Sequence, residues 1–172
     1  MTTIIPQGEP LLYDKIAQDL NEKMFTLGHI DDLYPVCFTG EENEETFPQV
    51  YINDGEMISL RVLPDSTKSL SFFTIDGEIQ VIDEFDAAVP MSYIGWMNLQ
   101  KVGPGKKYDF TNEIIQDSYN AIHNYGGYDI NINVTTPLEG FSMMEGKAAT
   151  MRPYSAFKIG FIKNTRICYV NI

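Results

Sequence analysis

The chain has 172 residues, a hydrophobic share of 44% and a formal net charge of −12. This length suits one ordinary domain, and the composition is that of a globular protein. A protein that binds nucleic acid through its phosphates needs a concentrated basic face, so the net negative charge argues against a nucleic-acid-binding protein of this kind. No run approaches the roughly 20 apolar residues of a membrane span, and the first residues lack the pattern of a secretion signal. We therefore expect a protein that is made in the cytosol.

The charge is distributed unevenly along the chain. Residues 1–100 carry 18 Asp or Glu against 4 Lys or Arg, a net charge of −14, whereas residues 101–172 carry 6 against 8, a net charge of +2. A chain with one strongly acidic part and one mildly basic part is complementary to a second copy of itself. The charge distribution therefore predicts head-to-tail association.

The N-terminal part predicts a helix followed by a loop. Apolar residues recur at every fourth position between residues 9 and 27, which predicts an amphipathic helix with a stripe of Leu12, Ile16, Leu20 and Met24. Gly28 ends this helix. Residues 31–45 include the acidic run 41–45 and have neither strand nor helix periodicity, which is typical of a solvated loop.

The middle of the chain predicts five strands. Asp-Gly pairs at 54–55 and 76–77 lie between apolar-rich runs, which is the sequence that type I′ hairpin turns prefer. The two predicted hairpins join residues 50–53 to 57–63 and residues 70–75 to 78–82. Residues 92–102 carry the only tryptophan and predict the fifth strand.

The C-terminal part predicts a second helix and further strands. Apolar positions between residues 114 and 125 mark an amphipathic helix, which Asp109 or Thr111 can cap. Residues 129–135 alternate between apolar and polar side chains and predict a half-buried strand. A last hairpin is predicted from residues 157–162 and 166–172.

Together these elements predict an α+β fold, a mainly antiparallel sheet of hairpins with two amphipathic helices packed on it. We expect a single domain over residues 1–172, with a short N-terminal arm at residues 1–8 and a long interaction loop at residues 137–155. Loops of that length are uncommon in compact domains. The methionine and aromatic residues of this loop favour contact with a partner, although a loop folded back on its own core is an equal alternative.

No cluster of residues in the sequence indicates a reaction. His29, Asp31 and Cys37 are metal-capable, yet they lack the paired spacing that places two ligands on one helix face. Residues 103–107 fail the requirements of a phosphate-binding Walker loop, and the carboxylates of residues 83–86 lie in a polar context that favours a solvated surface. We therefore expect no catalytic, cofactor or metal site, and no enzyme.

The predicted order of elements is an N-terminal helix, antiparallel hairpins, a later helix and closing strands. In this order, and in its segments 11–16, 33–35 and 47–52, the chain resembles the small α+β proteins of tailed bacteriophages that form tail-terminator and head-to-tail joining rings. The likeness covers most of the chain. It implies a structural virion protein that forms a homo-oligomeric ring at the head-tail junction or at the tail end.

The resemblance also implies that the phage genome passes through the bore of the ring. A bore lined by carboxylates repels phosphate, so DNA slides without the residence that a basic surface would confer. The first candidates for such a lining are Glu41, Glu42, Glu44 and Glu45. DNA would then be bound only transiently and without sequence specificity.

Neighbours of such a ring would be a portal or connector protein, or a tail-tube protein. Contacts with a second subunit or with these neighbours would use basic side chains and the methionines of the long loop. The candidates are Lys106, Lys107, Lys147, Arg152, Met143, Met144 and Met151. The resemblance implies no cofactor and no membrane.

Two other classes stay open from the sequence. A small intracellular enzyme would need His29, Asp31 and Cys37, or else His123, to converge in a cleft. An acidic adaptor or inhibitor protein of phage or mobile-element origin would act as a monomer and use its negative charge to mimic DNA. The oligomeric state separates a ring from both of these classes.

Overall fold

The computed structural model describes residues 2–3, 12–53, 56–61, 64, 68–106, 109–143 and 150–166. Within these ranges the chain forms a mixed α/β fold with three helices and nine strands. The helices are α1 (Leu12–Leu27), α2 (Leu99–Val102) and α3 (Thr111–Asn124). The strands are β1 (Thr2–Thr3), β2 (Asp32–Glu42), β3 (Glu45–Asn53), β4 (Glu56–Ser59), β5 (Ser69–Ile75), β6 (Gln80–Val81), β7 (Asp86–Asn98), β8 (Gly127–Asn133) and β9 (Tyr154–Arg166).

The strands form one mostly antiparallel sheet in the order β4-β3-β2-β5-β7-β9-β8, with β1 beside β2 and β6 beside β7. Strand β2 is parallel to both β1 and β5. The ladder between β7 and β9 runs without a register shift from Asp86 opposite Arg166 to Asn98 opposite Tyr154. At about 3.3 Å per residue, this ladder is about 40 Å long.

Helices α1 and α3 cover one face of the sheet. The predicted stripe of α1 is buried at Ile16, Leu20 and Met24, which confirms the amphipathic helix. These side chains pack with Tyr93 of β7 and Phe157 of β9 in the larger hydrophobic core. The second predicted helix is confirmed as α3, which buries its own apolar stripe in the same core.

On the opposite face of the sheet, side chains of β3 and of residues 138–143 form a second hydrophobic core with the central strands. Phe72 and Trp96 point into this second core, whereas their chain neighbours belong to the first, because successive side chains of a strand alternate between faces. Val50 of β3 and Met143 complete the packing around them. The central strands are therefore buried on both faces.

The predicted fold class, an α+β fold with a mainly antiparallel sheet of hairpins and two helices, is wrong. The fold is mixed α/β, strand β2 forms parallel pairs, and a third helix, α2, follows directly on β7. The main error lies in residues 31–45, which were expected to form a loop and instead supply β2. Leu33 and Val36 enter the first core and Cys37 the second, around a register shift in the pairing with β5. Burial on both faces removes the alternating pattern that marks a strand in the sequence.

The second predicted hairpin, at Asp76-Gly77, is also wrong. Strands β5 and β6 both pair antiparallel with β7, so the chain continues in one direction past this dipeptide. The true turn lies at residues 82–86, where Asp83 Oδ1 accepts hydrogen bonds from the backbone N–H groups of Phe85 and Asp86 at 2.7 and 2.9 Å. An aspartate side chain that bonds its own following backbone stabilises such a turn.

The remaining predictions have mixed outcomes. The first hairpin is confirmed because β3 pairs antiparallel with β4, although its turn residues 54–55 lie outside the described residues. The prediction of a last hairpin is wrong, since β9 continues without a turn from Tyr154 to Arg166, through the residues that were expected to form the turn. Residues 167–172, expected to form its second strand, lie outside the described residues, as do residues 144–149 of the long loop.

Candidate functional site

The four glutamates proposed as a bore lining lie at the turn between β2 and β3. Glu42 and Glu45 face each other across the strand pair, and the two turn residues between them have positive φ angles, 52° at Asn43 and 65° at Glu44. Such turns prefer glycine or asparagine, since a left-handed backbone is strained in other residues. A glutamate at position 44 therefore gives up local stability, and this is typical of positions that are retained for function.

Arg61 binds two of these four glutamates. Its Nη1 donates to Glu42 Oε2 at 2.7 Å, its Nη2 donates to Glu45, and its guanidinium lies 4.6 Å from the centre of the Phe47 ring. The side chains of Glu41 and Glu44 are exposed. Four carboxylates thus share one described cation, so the turn keeps a strong negative charge.

A second acidic turn points toward the same end of the sheet. Because β2 is parallel to β5, and β5 and β6 are antiparallel to β7, the β2–β3 turn and the turn at residues 82–86 lie toward one end. Glu78, Asp83 and Glu84 are exposed there. We call this the acidic end, made of Glu41, Glu42, Glu44, Glu45, Glu78, Asp83 and Glu84.

The same end carries a cluster of exposed apolar side chains. Residues 78–86, here called the β6–β7 tip, expose Ile79, Val81 (69%), Ile82 and Phe85 (54%) to solvent. Large apolar groups that lie together on a surface are typical of interaction sites. This feature was not predicted, because residues 78–82 were expected to form the second strand of a hairpin and residues 83–86 a solvated acidic surface. The alternation of acidic and large apolar residues across 78–86 was the available signal.

The opposite end of the sheet holds an open groove of about 610 Å³. It brings together two of the predicted contact residues, Lys106 and Arg152, which are far apart in the sequence. We call it the α2–α3 groove because α2, the start of α3 and the residues before β9 enclose it. Its lining is Leu99, Gln100, Gly103, Pro104, Gly105, Lys106, Asp109, Phe110, Arg152 and Pro153.

The cations of the groove are held in defined positions. Lys106 Nζ lies 4.3 Å from the centre of the Phe110 ring and 3.4 Å from Glu113 Oε2. Arg152 Nη2 lies 2.7 Å from Asp109 Oδ2. The predicted cap of α3 by Asp109 or Thr111 is wrong, because Phe110 holds the capping position and no side chain makes a capping hydrogen bond. Asp109 Oδ1 instead accepts from the backbone N–H of Thr111 at 3.0 Å, two residues further on.

The ionisation of Asp109 follows from these contacts. Partial burial raises the pKa of its carboxyl group, but the hydrogen bonds from Thr111 and the nearby charge of Arg152 outweigh that effect, and the net pKa is lowered. Asp109 therefore stays ionised at neutral pH. Its charge holds Arg152 at the rim of the groove.

None of the other predicted contact residues that the structure describes lines the α2–α3 groove. Met151 is exposed beside Arg152, whereas Met143 is buried in the second core of its own chain. Lys107, Met144 and Lys147 lie outside the described residues. The described first part of the long loop, up to Met143, therefore covers the chain's own core.

The residues considered for an enzyme are not brought together in the described structure. His29 Nε2 lies 2.8 Å from Asp117 Oδ2, so His29 links the end of α1 to α3, while Cys37 is buried in the second core. Burial raises the pKa of the Cys37 thiol well above its usual value, which keeps it unreactive. His123 stacks on Tyr119 of the same helix with ring centres 6.0 Å apart. Across the described ranges, no three His, Cys, Asp or Glu side chains are placed to hold a metal ion.

No family model, no curated protein and no solved structure matches this chain. Among the helices that the structure describes, none is both long and apolar enough to cross a membrane. The features from which a function can be inferred are therefore the acidic end, the β6–β7 tip and the α2–α3 groove.

Proposed function

We propose that this protein is a structural virion protein of a tailed bacteriophage, which forms a homo-oligomeric ring at the head-tail junction or tail end through which DNA passes. The observation that carries this proposal is the separation of surfaces along the sheet. The acidic end and its apolar tip lie at one end of the β7–β9 ladder, and a groove with two cations lies at the other. Different surfaces at opposite ends favour head-to-tail contacts between copies, which close into rings when the rotation allows.

The exposed apolar tip supports an assembling protein over a monomer. Val81 and Phe85 are more than half exposed in the single chain. Leaving such side chains in water forgoes the stabilisation that their burial gives, about 1.5–3 kcal/mol for each fully buried side chain. A contact with another copy recovers part of that free energy.

The acidic end supports the passage of DNA through the ring. Its β2–β3 turn presents four carboxylates, and Arg61 is the cation bonded to two of them. A surface of this kind repels the phosphates of DNA. DNA that approaches it also gains no free energy from the release of counterions. The left-handed Glu44 favours a role for the charge itself, because the turn would be more stable with glycine at that position.

The first test measures where the protein is and how many copies assemble. Mass spectrometry of purified phage particles should detect this chain among the structural proteins. Sedimentation velocity of the full-length protein, alone and with the tail-tube or portal protein of the same phage, should yield one closed assembly of fixed stoichiometry. The proposal is contradicted if the chain is absent from particles and stays monomeric both alone and with the tail-tube or portal protein.

A second test addresses the bore. The charge-reversed variant Glu41→Lys/Glu44→Lys should assemble into particles but deliver DNA poorly, because a basic bore retains phosphate. Glu41→Gln/Glu44→Gln should have a smaller effect, since it removes repulsion without adding attraction. Glu22→Lys, at an exposed position of α1, is the matched control and should deliver DNA normally. Equal DNA delivery by the reversed variant and the control would remove Glu41 and Glu44 from the bore.

A further inference from the structure

We propose that the β6–β7 tip of one copy seats in the α2–α3 groove of the next copy. This inference rests on the proposed homo-oligomer and names the two surfaces that join its subunits. The tip supplies apolar side chains flanked by carboxylates, and the groove supplies apolar walls flanked by cations. The partner is a second copy of this chain.

The positions of tip and groove exclude contact between them within one copy. The tip leads into β7 at Asp86, and the groove begins where β7 ends at Asn98. The ladder between these points is about 40 Å long. A chain therefore cannot fill its own groove with its own tip, and each copy presents a tip at one end and a groove at the other.

The tip has the composition of an anchor for a groove. Its most exposed large apolar side chains are Val81, Ile82 and Phe85. Exposed carboxylates flank them in the sequence, at Glu78, Asp83 and Glu84. Residues 76–86 contain five acidic side chains and no basic one. The backbone N–H groups of Phe85 and Asp86 donate to Asp83 and hold the turn backbone in place, so little backbone freedom is lost on docking.

The groove matches this composition. Leu99, Phe110 and Pro153 give it apolar walls, and its volume of about 610 Å³ accommodates several side chains. The charged residues of its lining are two cations, Lys106 and Arg152, and one carboxylate, Asp109. Lys106 and Arg152 stand at the rim, each beside a carboxylate of its own chain.

The two kinds of contact have different tasks. Asp109 and Glu113 offset part of the positive charge at the groove, so the electrostatic attraction to the acidic tip is modest. Burial of Phe85 and its apolar neighbours then supplies most of the affinity. The charges set the orientation and disfavour contact between two tips.

Self-association of full-length variants tests this contact by sedimentation velocity over a concentration series. Phe85→Ala should weaken association about 30-fold, the factor expected for a central aromatic contact. Lys106→Glu/Arg152→Glu should also weaken it, because reversed charges repel the acidic tip. Met57→Ala is the matched control, since Met57 is also a well-exposed large apolar side chain but lies on the edge strand β4, which β3, β2 and β5 separate from β7. It should associate as the wild type does.

Mixing identifies the contact as head-to-tail. A variant with a disabled tip, Val81→Asp/Phe85→Asp, keeps its groove, whereas Lys106→Glu/Arg152→Glu keeps its tip. Each should be monomeric alone, and an equal mixture should form dimers that grow no further, because only one complementary pair of surfaces remains. Circular dichroism of each variant checks that the fold is intact, as expected for exposed positions.

Disulfide trapping tests the same contact when association is weak. A chain carrying Phe85→Cys mixed with a chain carrying Gln100→Cys should form a covalent heterodimer under mild oxidation, because bonded cysteines must approach within about 7 Å. Met57→Cys with Gln100→Cys is the control pair. A wild-type assembly that forms while the tip variants associate normally overturns the tip–groove contact and leaves the ring intact. A wild type that neither associates nor traps, with or without its phage partners, overturns both proposals.

Discussion

Arg152 Nη2 lies 2.7 Å from Asp109 Oδ2, and this ion pair joins the residues before β9 to the start of α3. The two residues are 43 positions apart in the sequence, so only the folded chain makes them neighbours. The pair forms one rim of the α2–α3 groove. Its geometry therefore bears on both the stability of the fold and the proposed contact between subunits.

Asp109→Ala should lower the free energy of unfolding at neutral pH by about 1 kcal/mol, the usual net contribution of a side-chain hydrogen bond. Urea denaturation at fixed pH measures this loss. Because the pKa of Asp109 is lowered in the folded protein, its ionised form stabilises the fold above the ordinary Asp range, and this effect disappears as the pH falls through the lowered pKa. Asp109→Asn should thus approach the wild type in acid. A constant difference at all pH values would contradict the assignment.

Tyr125→Phe should lower the free energy of unfolding by about 1.5 kcal/mol, because the Tyr125 hydroxyl donates to Asp19 Oδ2 at 2.8 Å and ties α3 to α1. Burial, and then the bond to Asp19, raise the pKa of Tyr125. The neutral phenol therefore stabilises the fold below its ordinary pKa, and the stabilisation is lost as the pH rises through the raised value. The unfolding temperatures of wild type and Tyr125→Phe should therefore approach each other as the pH rises, and thermal unfolding of both across alkaline pH measures this. Unfolding temperatures that stay equal at neutral pH would exclude the bond.

Leu20→Ala should lower the free energy of unfolding by about 3 kcal/mol, since Leu20 is fully buried between α1 and the sheet. Phe25→Ala is the control on the same helix, where the side chain is 46% exposed, and should cost less despite removing a larger group. Urea denaturation gives both values. Equal losses would mean that α1 does not bury the face described above.

Glu44→Gly should raise the free energy of unfolding by about 0.5 kcal/mol, because glycine relieves the left-handed strain but gains flexibility in the unfolded chain. Chemical denaturation measures the gain. If the proposed bore role is correct, the same variant should deliver DNA no better than wild type in spite of its greater stability. A variant that is less stable than wild type would show that Glu44 makes a favourable contact at the turn.

The local elements were largely predictable because their signals lie within a few residues. The every-fourth-residue stripe of α1 and the periodicity of α3 report directly on a buried helix face. The Asp-Gly signal at residues 54–55 correctly indicated the β3–β4 hairpin. The same signal at Asp76-Gly77 failed, since pairing of β5 and β6 with one long β7 overrode the local turn preference.

The sequence by itself determined the charge balance, helices α1 and α3 and the existence of one acidic and one mildly basic part, because these depend on composition and short-range periodicity. Only the tertiary structure decided that β2 is a buried strand, that Lys106 and Arg152 share a groove, and that the exposed Phe85 lies at the other end of the sheet. These relationships depend on pairing between strands that are distant in the sequence. Long-range pairing selects one register by burial on both faces, and burial on both faces leaves no periodic trace in the residues themselves.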